Sequence, residues 1–227
     1  MAEKKHVEES KSDQAVVDRA KDFWTKYNRP VIIIATIIIL AGGGWLVYKY
    51  MFKAPNEQKA IDAIYKAEDY YRMDSLQKAL NGDGLNSGFL KVISKYGGTE
   101  AGNLARFYAG DIYLKMGDYA KAIKYLKDFS TGAKQIQARA YNLLGDAYAD
   151  QGKNADALKY YKKAAHHYED DETNASEYLF LAAYFADRVM NNAKEATALF
   201  KELKEKYSHT EKGLEADKYL AQLGVYN

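Results

Sequence analysis

Two stretches of the chain decide its fold: AGDIYLKMGDYAKAIKYL at residues 109–126 and LGDAYADQGKNADALKYY at residues 144–161. They align at an offset of 35 residues, and the matching positions are Gly110, Tyr113, Gly117, Ala122 and Ile123 in the first and Gly145, Tyr148, Gly152, Ala157 and Leu158 in the second. In each stretch a helical pattern leads into a glycine-containing turn, and a second helical pattern follows with alanine near its start. The sequence therefore predicts a repeated helical hairpin and an all-α fold.

The small and aromatic residues of the repeat predict how its two helices pack. A glycine and a tyrosine lie one helical turn apart on the first helix, so the second helix can approach the glycine while the tyrosine fills the adjacent space. An alanine on the second helix completes the close contact. The predicted packing residues are Gly110, Tyr113, Ala122, Gly145, Tyr148 and Ala157.

These positions resemble the tetratricopeptide repeat (TPR) family, whose consensus has a small residue at position 8, an aromatic residue at 11, glycine at 15 and alanine at 20. The resemblance implies a TPR-like α-solenoid of helical hairpins over residues 99–227. A third, degenerate unit follows at an offset of 39, with Ala183 and Ala186 in its first helix and the insertion expected in its turn at 190–192. Residues 213–223 are expected to form the C-terminal capping helix that a solenoid needs.

Residues 54–98 carry a different helical pattern. The apolar residues between Glu57 and Leu80 predict one long helix, and those between Phe89 and Tyr96 predict a short one. The glycines and asparagines at 81–86 predict the turn between them. We expect this region to be an atypical, degenerate first hairpin.

An uncharged run of eighteen residues, VIIIATIIILAGGGWLVY, occupies positions 31–48. Together with residues 50–52, it is long enough to cross a hydrocarbon core of about 30 Å as a helix. Trp45, Tyr48 and Tyr50 are placed as aromatic residues of the membrane interface. Residues 31–52 are therefore expected to form a transmembrane helix; a buried helix of a soluble protein or the core of a signal peptide is the alternative.

The segment before this span, residues 1–30, is expected to be a cytoplasmic tail. Its apolar residues at helical spacing predict a short amphipathic helix at the membrane interface that ends at Pro30, and they are Val16, Ala20, Phe23, Trp24 and Tyr27. A solvated tail without such a helix is the alternative. Basic residues flank both ends of the span, so the charge bias is nearly balanced, and the shortness of the tail favours keeping it in the cytoplasm.

Composition argues against several classes of function. The net charge is only +2, with acidic and basic residues interspersed, so no nucleic-acid partner is expected. The chain has no cysteine, and none of its four histidines has another histidine four residues away, as a helical metal site with paired histidines needs. Phosphate-binding, dinucleotide-binding and nucleophile-elbow motifs are absent. We therefore expect no catalytic residue, no metal, no cofactor and no enzymatic activity.

The TPR resemblance also implies which side chains face a polypeptide-binding groove on the first helix of each hairpin. The implied groove residues are Leu104, Phe107, Asp111, Leu114, Lys115, Arg139, Asn142, Asp146, Ala149 and Asp150. They lack the lysine and asparagine pattern that clamps a terminal carboxylate, and their mixture of apolar and acidic groups suits a basic, hydrophobic polypeptide. The alternative is that the groove is unused and another face, or the anchor helix, makes the contact.

The order of the parts resembles the YfgM-like inner-membrane proteins of Gram-negative bacteria, and residues 96–101 are similar to their repeat linker. This resemblance implies an ancillary subunit of the SecYEG translocon, partnered with a PpiD-like membrane-anchored chaperone. It also implies a single-pass inner-membrane protein with a cytoplasmic N-terminus and a periplasmic TPR domain. An envelope-assembly or general TPR scaffold, unrelated to the translocon, is the alternative.

Overall fold

The computed structural model describes the backbone of residues 2–226 and the side chains of residues 17–226, except those of residues 20, 52 and 53. Val16 and Ala20 of the expected amphipathic helix therefore lie outside the described side chains. The described backbone contains no β-strand, only an isolated bridge between Gly82 and Ser87. The all-α prediction is confirmed, and the chain divides into two compact units, Met1–Pro55 and Asn56–Asn227.

The first unit is dominated by helix α1, Ala2–Val47, which is followed by a π-helical segment, Tyr48–Lys53. The expectation that a helix ends at Pro30 is wrong, because α1 continues through this proline. A proline removes one backbone hydrogen bond, and long apolar helices tolerate that loss. The large apolar side chains from Val31 to Met51 are exposed, up to 71% at Ile39. This N-terminal helix is long and apolar enough to cross a membrane.

Three helices precede the repeats: α2, Ala54–Arg72; α3, Leu76–Asn81; and α4, Phe89–Tyr96. The pattern from Glu57 to Leu80 is thus two helices rather than one. The break lies at Asp74, whose φ of 54° is left-handed and cannot continue a right-handed helix. In the following turn, the Asp83 carboxylate accepts hydrogen bonds from the backbone N–H groups of Leu85 and Asn86, as an Asx-type turn does.

The repeats are three helical hairpins and a final helix. The hairpins are α5, Glu100–Lys115, with α6, Tyr119–Lys127; α7, Lys134–Asp150, with α8, Asn154–Ala165; and α9, Glu172–Arg188, with α10, Ala193–Lys206; the final helix is α11, Glu211–Gln222. Side chains that accept backbone N–H groups begin several of these helices, among them Thr99, Asp118, Asp171, Asn192 and Thr210.

Each turn within a hairpin contains one left-handed residue. Gly117 has a φ of 77° and Gly152 a φ of 72°, while Asn191, with a φ of 49°, takes this role in the third hairpin. The third hairpin follows the second at an offset of 39 residues instead of 35, a difference of four residues. The insertion expected at 190–192 accounts for only one of these four, because the turn before α10 is one residue longer than the turn before α8. The other three lengthen α8 relative to α6.

Two clusters of buried side chains fill the hairpin stack. One extends from α2 to α7 and includes Ile64, Phe89 and Ile112. The other extends from α6 to α11 and includes Leu144 and Phe200. Leu114 and Ile123 pack against both, so apolar packing is continuous along the repeats, as expected when each hairpin covers the next.

Candidate functional site

The predicted packing residues lie where the two helices of a hairpin approach most closely. A Cβ atom built on Gly110 would lie 2.5 Å from Leu126 Cγ, and one on Gly145 would lie 2.4 Å from Tyr161 Cδ1. Ala122 and Ala157 are fully buried. Any side chain larger than hydrogen at either glycine would therefore push the second helix away.

The two tyrosines of the repeat make equivalent stacks. Tyr113 packs on Tyr125 with ring centroids 5.5 Å apart, and Tyr148 packs on Tyr160 at 5.4 Å, in both cases with nearly parallel rings. Both tyrosines are 7% exposed. These stacks hold the two helices of each hairpin together.

The first helices of the three hairpins border a cavity of about 430 Å³. Three of the predicted groove residues, Leu104, Phe107 and Arg139, line it together. The sequence reasoning missed its other lining residues, which are Tyr108, Gln135, Ile136, Ala138, Ala164, Tyr168, Asp171, Asn174, Ala175 and Tyr178. Several of these lie near the starts of α7 and α9, where the helical pattern alone does not distinguish a lining residue from an exposed one.

A second cavity, of about 690 Å³, lies between α2, α5 and the loop at residues 129–132. Ile61 and Tyr65 of α2 line it, and Leu104 and Ile136 line both cavities. The two cavities are therefore adjacent parts of one concave surface, which we call the furrow. The volume of each cavity is in the range typical of ligand-binding pockets.

The predicted groove residues at the C-terminal end of α5 do not line the furrow. Asp111 is 5% exposed; its carboxylate accepts a hydrogen bond from Tyr71 Oη at 2.5 Å and pairs with Lys115 Nζ at 2.8 Å. The Lys115 ammonium also lies 4.4 Å from the centroid of the Tyr71 ring. Tyr71 belongs to α2, so α2 covers this end of α5, while Leu114 packs into the core.

The predicted residues at the C-terminal end of α7 are also outside the furrow. Asn142 Nδ2 donates to Asp146 Oδ2 at 3.2 Å, and Tyr161 Oη donates to Asp146 Oδ1 at 3.0 Å. Ala149 packs against the core and Asp150 is exposed. Sequence comparison with the TPR consensus could not place these contacts, because they depend on the tyrosine that α8 supplies.

The furrow has an acidic lining. Its charged residues are Glu57, Glu68, Glu100 and Asp171, against the single guanidinium of Arg139. Glu57 accepts the backbone N–H groups of Glu100 and Ala101 at 2.8 and 2.9 Å, so this carboxylate also caps α5. Burial raises the pKa of the Tyr108 and Tyr178 phenols, which keeps both neutral. The furrow therefore favours apolar groups and positive charge.

One further group of side chains was not expected from the sequence. His166 Nε2 lies 2.8 Å from Glu202 Oε1, and Lys206 Nζ lies 3.0 Å from carboxylate oxygens of both Glu169 and Glu202. The geometry of the histidine and the two acids could admit a cation, but the Lys206 ammonium already pairs with both carboxylates. We describe this group as an ion-pair network between the ends of α8 and α10.

Stacked helical hairpins with a concave furrow along their first helices define the class of α-solenoid proteins that serve as protein–protein interaction modules. The tetratricopeptide repeat family model matches residues 107–172, which span the second half of α5, all of α6 and the whole second hairpin. Residues 107–172 are thus similar to tetratricopeptide repeats, which are typically non-enzymatic interaction scaffolds. No curated protein and no solved structure matched the chain.

Proposed function

We propose that this protein is a membrane-anchored TPR module that binds polypeptides, and that it acts as an accessory subunit of the Sec protein-translocation channel together with periplasmic chaperones. In this proposal it has no catalytic centre and needs no cofactor. The observation that carries the proposal is the furrow, a concave surface whose apolar lining is left open to solvent.

The exposure of that lining supports polypeptide binding. Ile136 is 40% exposed, Ile61 48% and Tyr65 59%, although neighbouring residues of the same helices are buried. Apolar groups gathered on one concave surface are a feature of binding sites, whereas single exposed apolar residues scattered over a protein are ordinary. The excess of carboxylates favours a segment with basic as well as apolar side chains.

The N-terminal helix supplies the anchor in this proposal. Residues 31–52 would span about 33 Å as a helix, which matches a bilayer's hydrocarbon core. Their large apolar side chains, where described, are exposed, as lipid contact requires. We place residues 1–30 in the cytoplasm and residues 54–227 in the periplasm of a bacterial inner membrane.

The assignment to SecYEG and to a PpiD-like chaperone rests on the resemblance to YfgM-like proteins in the order of the parts. A span joined to a polypeptide-binding domain is a suitable arrangement beside a channel, because the span holds the furrow close to chains that emerge there. In this account the span contacts the membrane partners and the furrow contacts the chaperone or the emerging chain.

The test is to replace residues 31–52 by an unrelated apolar span of equal length. The variant should remain membrane-bound but lose most of its co-purification with SecYEG in mild detergent. Lys159→Glu, a charge change at an exposed position of α8, is the matched control and should co-purify like the parent. If the parent itself brings down no translocon subunit, the translocon assignment is wrong and the general TPR scaffold remains.

A further inference from the structure

One wall of the furrow's second cavity comes from α2, the helix that precedes the repeats, and we call this cavity the α2 cavity. Glu57, Ile61, Tyr65 and Glu68 of α2 line it. Their spacing of three or four residues places them on one face of the helix, and Ile61 and Tyr65 are exposed. A helix outside the repeats therefore contributes both apolar and acidic groups to the furrow.

Hydrogen bonds hold the opposite wall of the α2 cavity, the loop at residues 129–132, in place. The side-chain amide of Asn103 on α5 donates to the Ser130 carbonyl at 2.7 Å. The backbone N–H of Thr131 donates to Gln137 Oε1 on α7 at 2.8 Å, and Gln137 is buried. Because the loop is attached to both α5 and α7, a ligand can bind in the α2 cavity without having to order it.

The charged lining differs between the two cavities of the furrow. The cavity bordered by the first helices of the hairpins has one charge of each sign, those of Arg139 and Asp171. The α2 cavity is lined by the carboxylates of Glu57, Glu68 and Glu100 and, among the described residues, by no lysine, arginine or histidine. Positive charge on a ligand is therefore favoured at the α2 end of the furrow rather than along its whole length.

One of these three carboxylates is committed to the fold. Both oxygen atoms of the Glu57 carboxylate accept backbone N–H groups, those of Glu100 and Ala101, so Glu57 caps α5. The Glu100 side chain is exposed at the first position of α5, and within the described part of the chain it forms no ion pair. The Glu100 carboxylate is therefore open to the N–H groups of a ligand.

Glu68 is the second carboxylate without a cation. The basic residues nearest to it along α2 are Lys66 and Arg72, and both pair with Asp69 instead. Burial raises the pKa of the Tyr108 phenol, and the nearby Glu68 carboxylate raises it further. Since Tyr108 lines the other cavity, Glu68 lies where the two cavities meet.

We propose that the α2 cavity is a separate subsite that receives an apolar side chain of the polypeptide in the furrow, while Glu68 and Glu100 accept the ammonium or guanidinium group of a lysine or arginine close to it in sequence. Ile61 and Tyr65 contact the apolar side chain. The other cavity, with its balanced charges, imposes no such requirement, so the ligand is held with its basic residue toward α2. The inference rests on the proposed function of the furrow and adds a recognition element that the repeats do not supply.

The experiment selects a displayed library of random twelve-residue peptides on the full-length protein in lipid nanodiscs. Selected peptides should carry lysine or arginine at one fixed position relative to an apolar residue. One such peptide is then compared with the same peptide bearing norleucine at that position, which keeps a straight side chain and removes the charge. The parent should bind the norleucine peptide about threefold more weakly, the effect expected of a partly exposed ion pair.

Variants of the lining assign this preference to the α2 cavity. The double variant Glu68→Gln, Glu100→Gln should bind both peptides equally, whereas Glu205→Gln, at an exposed position of α10, should discriminate like the parent. Tyr65→Ala should weaken binding of the basic peptide severalfold, and Tyr226→Ala, which removes an exposed tyrosine elsewhere, should not. A thermal melt of each variant verifies folding.

Two results would overturn the inference while leaving the furrow as a binding site. One is selection of peptides that have no basic position, and the other is full discrimination between the two peptides by the Glu68 and Glu100 double variant. Failure to select any peptide would contradict the proposed function of the furrow as well.

Discussion

At the scale of single residues, the contact between the two helices of a hairpin depends on alanine and glycine. Ala157 is fully buried where α8 meets α7. Ala157→Leu should overpack this contact and lower the free energy of unfolding by about 1–3 kcal/mol. Ala155→Leu, at an exposed position of the same helix, is the control and should change stability little. Thermal melts of the two variants would measure the difference; equal melts would mean that the 35-residue register is misplaced.

A second residue-scale prediction concerns Asp146, whose pKa is raised mainly by burial. The folded state then disfavours ionisation more than the unfolded state does, so the charge destabilises the fold at pH values above the raised folded-state pKa. Asp146→Asn should therefore raise the melting temperature at pH 7 by a few degrees. The gain should shrink as the pH falls toward the unfolded-state value of about 3.9.

Melting curves of the parent and Asp146→Asn between pH 4 and pH 7 measure this dependence, with Asp156→Asn as the matched control. A variant that is less stable than the parent at pH 7 would show that the carboxylate stabilises the fold.

At the scale of helices, the sequence predicts most of the elements because the same helix and turn signals occur in both copies of the repeat. Gly117 and Gly152 mark equivalent turns, and Tyr113 and Tyr148 mark equivalent first helices, so two copies of each signal agree. The break at Asp74 could not be predicted, because the left-handed conformation there involves neither glycine nor proline. Likewise, the sequence pattern predicts a helix end at Pro30, but α1 passes through this residue.

The placement of the furrow was predictable only in part, for a similar reason. Leu104, Phe107 and Arg139 follow from the TPR consensus. Ile61 and Tyr65 belong to α2, which precedes the repeats, so the TPR consensus gives no prediction for them. Tyr71 of α2 also covers the Asp111 end of α5, a contact between residues 40 apart that no local pattern indicates.

Glu57 connects two elements and provides a prediction at this scale. Its carboxylate accepts the first two backbone N–H groups of α5, those of Glu100 and Ala101. Glu57→Ala should remove both hydrogen bonds and cost about 1–2 kcal/mol, as the loss of a capping group does. Hydrogen exchange should accelerate at these two amides, with Lys59→Ala, at an exposed position of α2, as the control. Unchanged exchange at Glu100 and Ala101 would mean that the cap does not form in solution.

At the scale of the whole molecule, the translocon proposal requires the repeats to lie in the periplasm. Finding them in the cytoplasm would contradict it. The chain has no native cysteine, so maleimide labelling of a single introduced cysteine shows on which side of the membrane that residue lies. Asp170→Cys, at an exposed residue between α8 and α9, should react with a membrane-impermeant maleimide once the outer membrane is permeabilised. Labelling that requires lysis of the inner membrane would place the repeats in the cytoplasm.

The central claim is that the furrow holds a polypeptide, and the most direct measurement is photo-crosslinking from within it in living cells. Ile136 lines both cavities of the furrow, so a photoreactive residue at this position should form adducts with an exported chain or a membrane-anchored chaperone. The same residue at Lys159, an exposed position of α8, is the control and should form few. Polypeptide adducts from Ile136 that exceed those from Lys159 are the result the account predicts, whereas equal or no adducts from the two positions would contradict it.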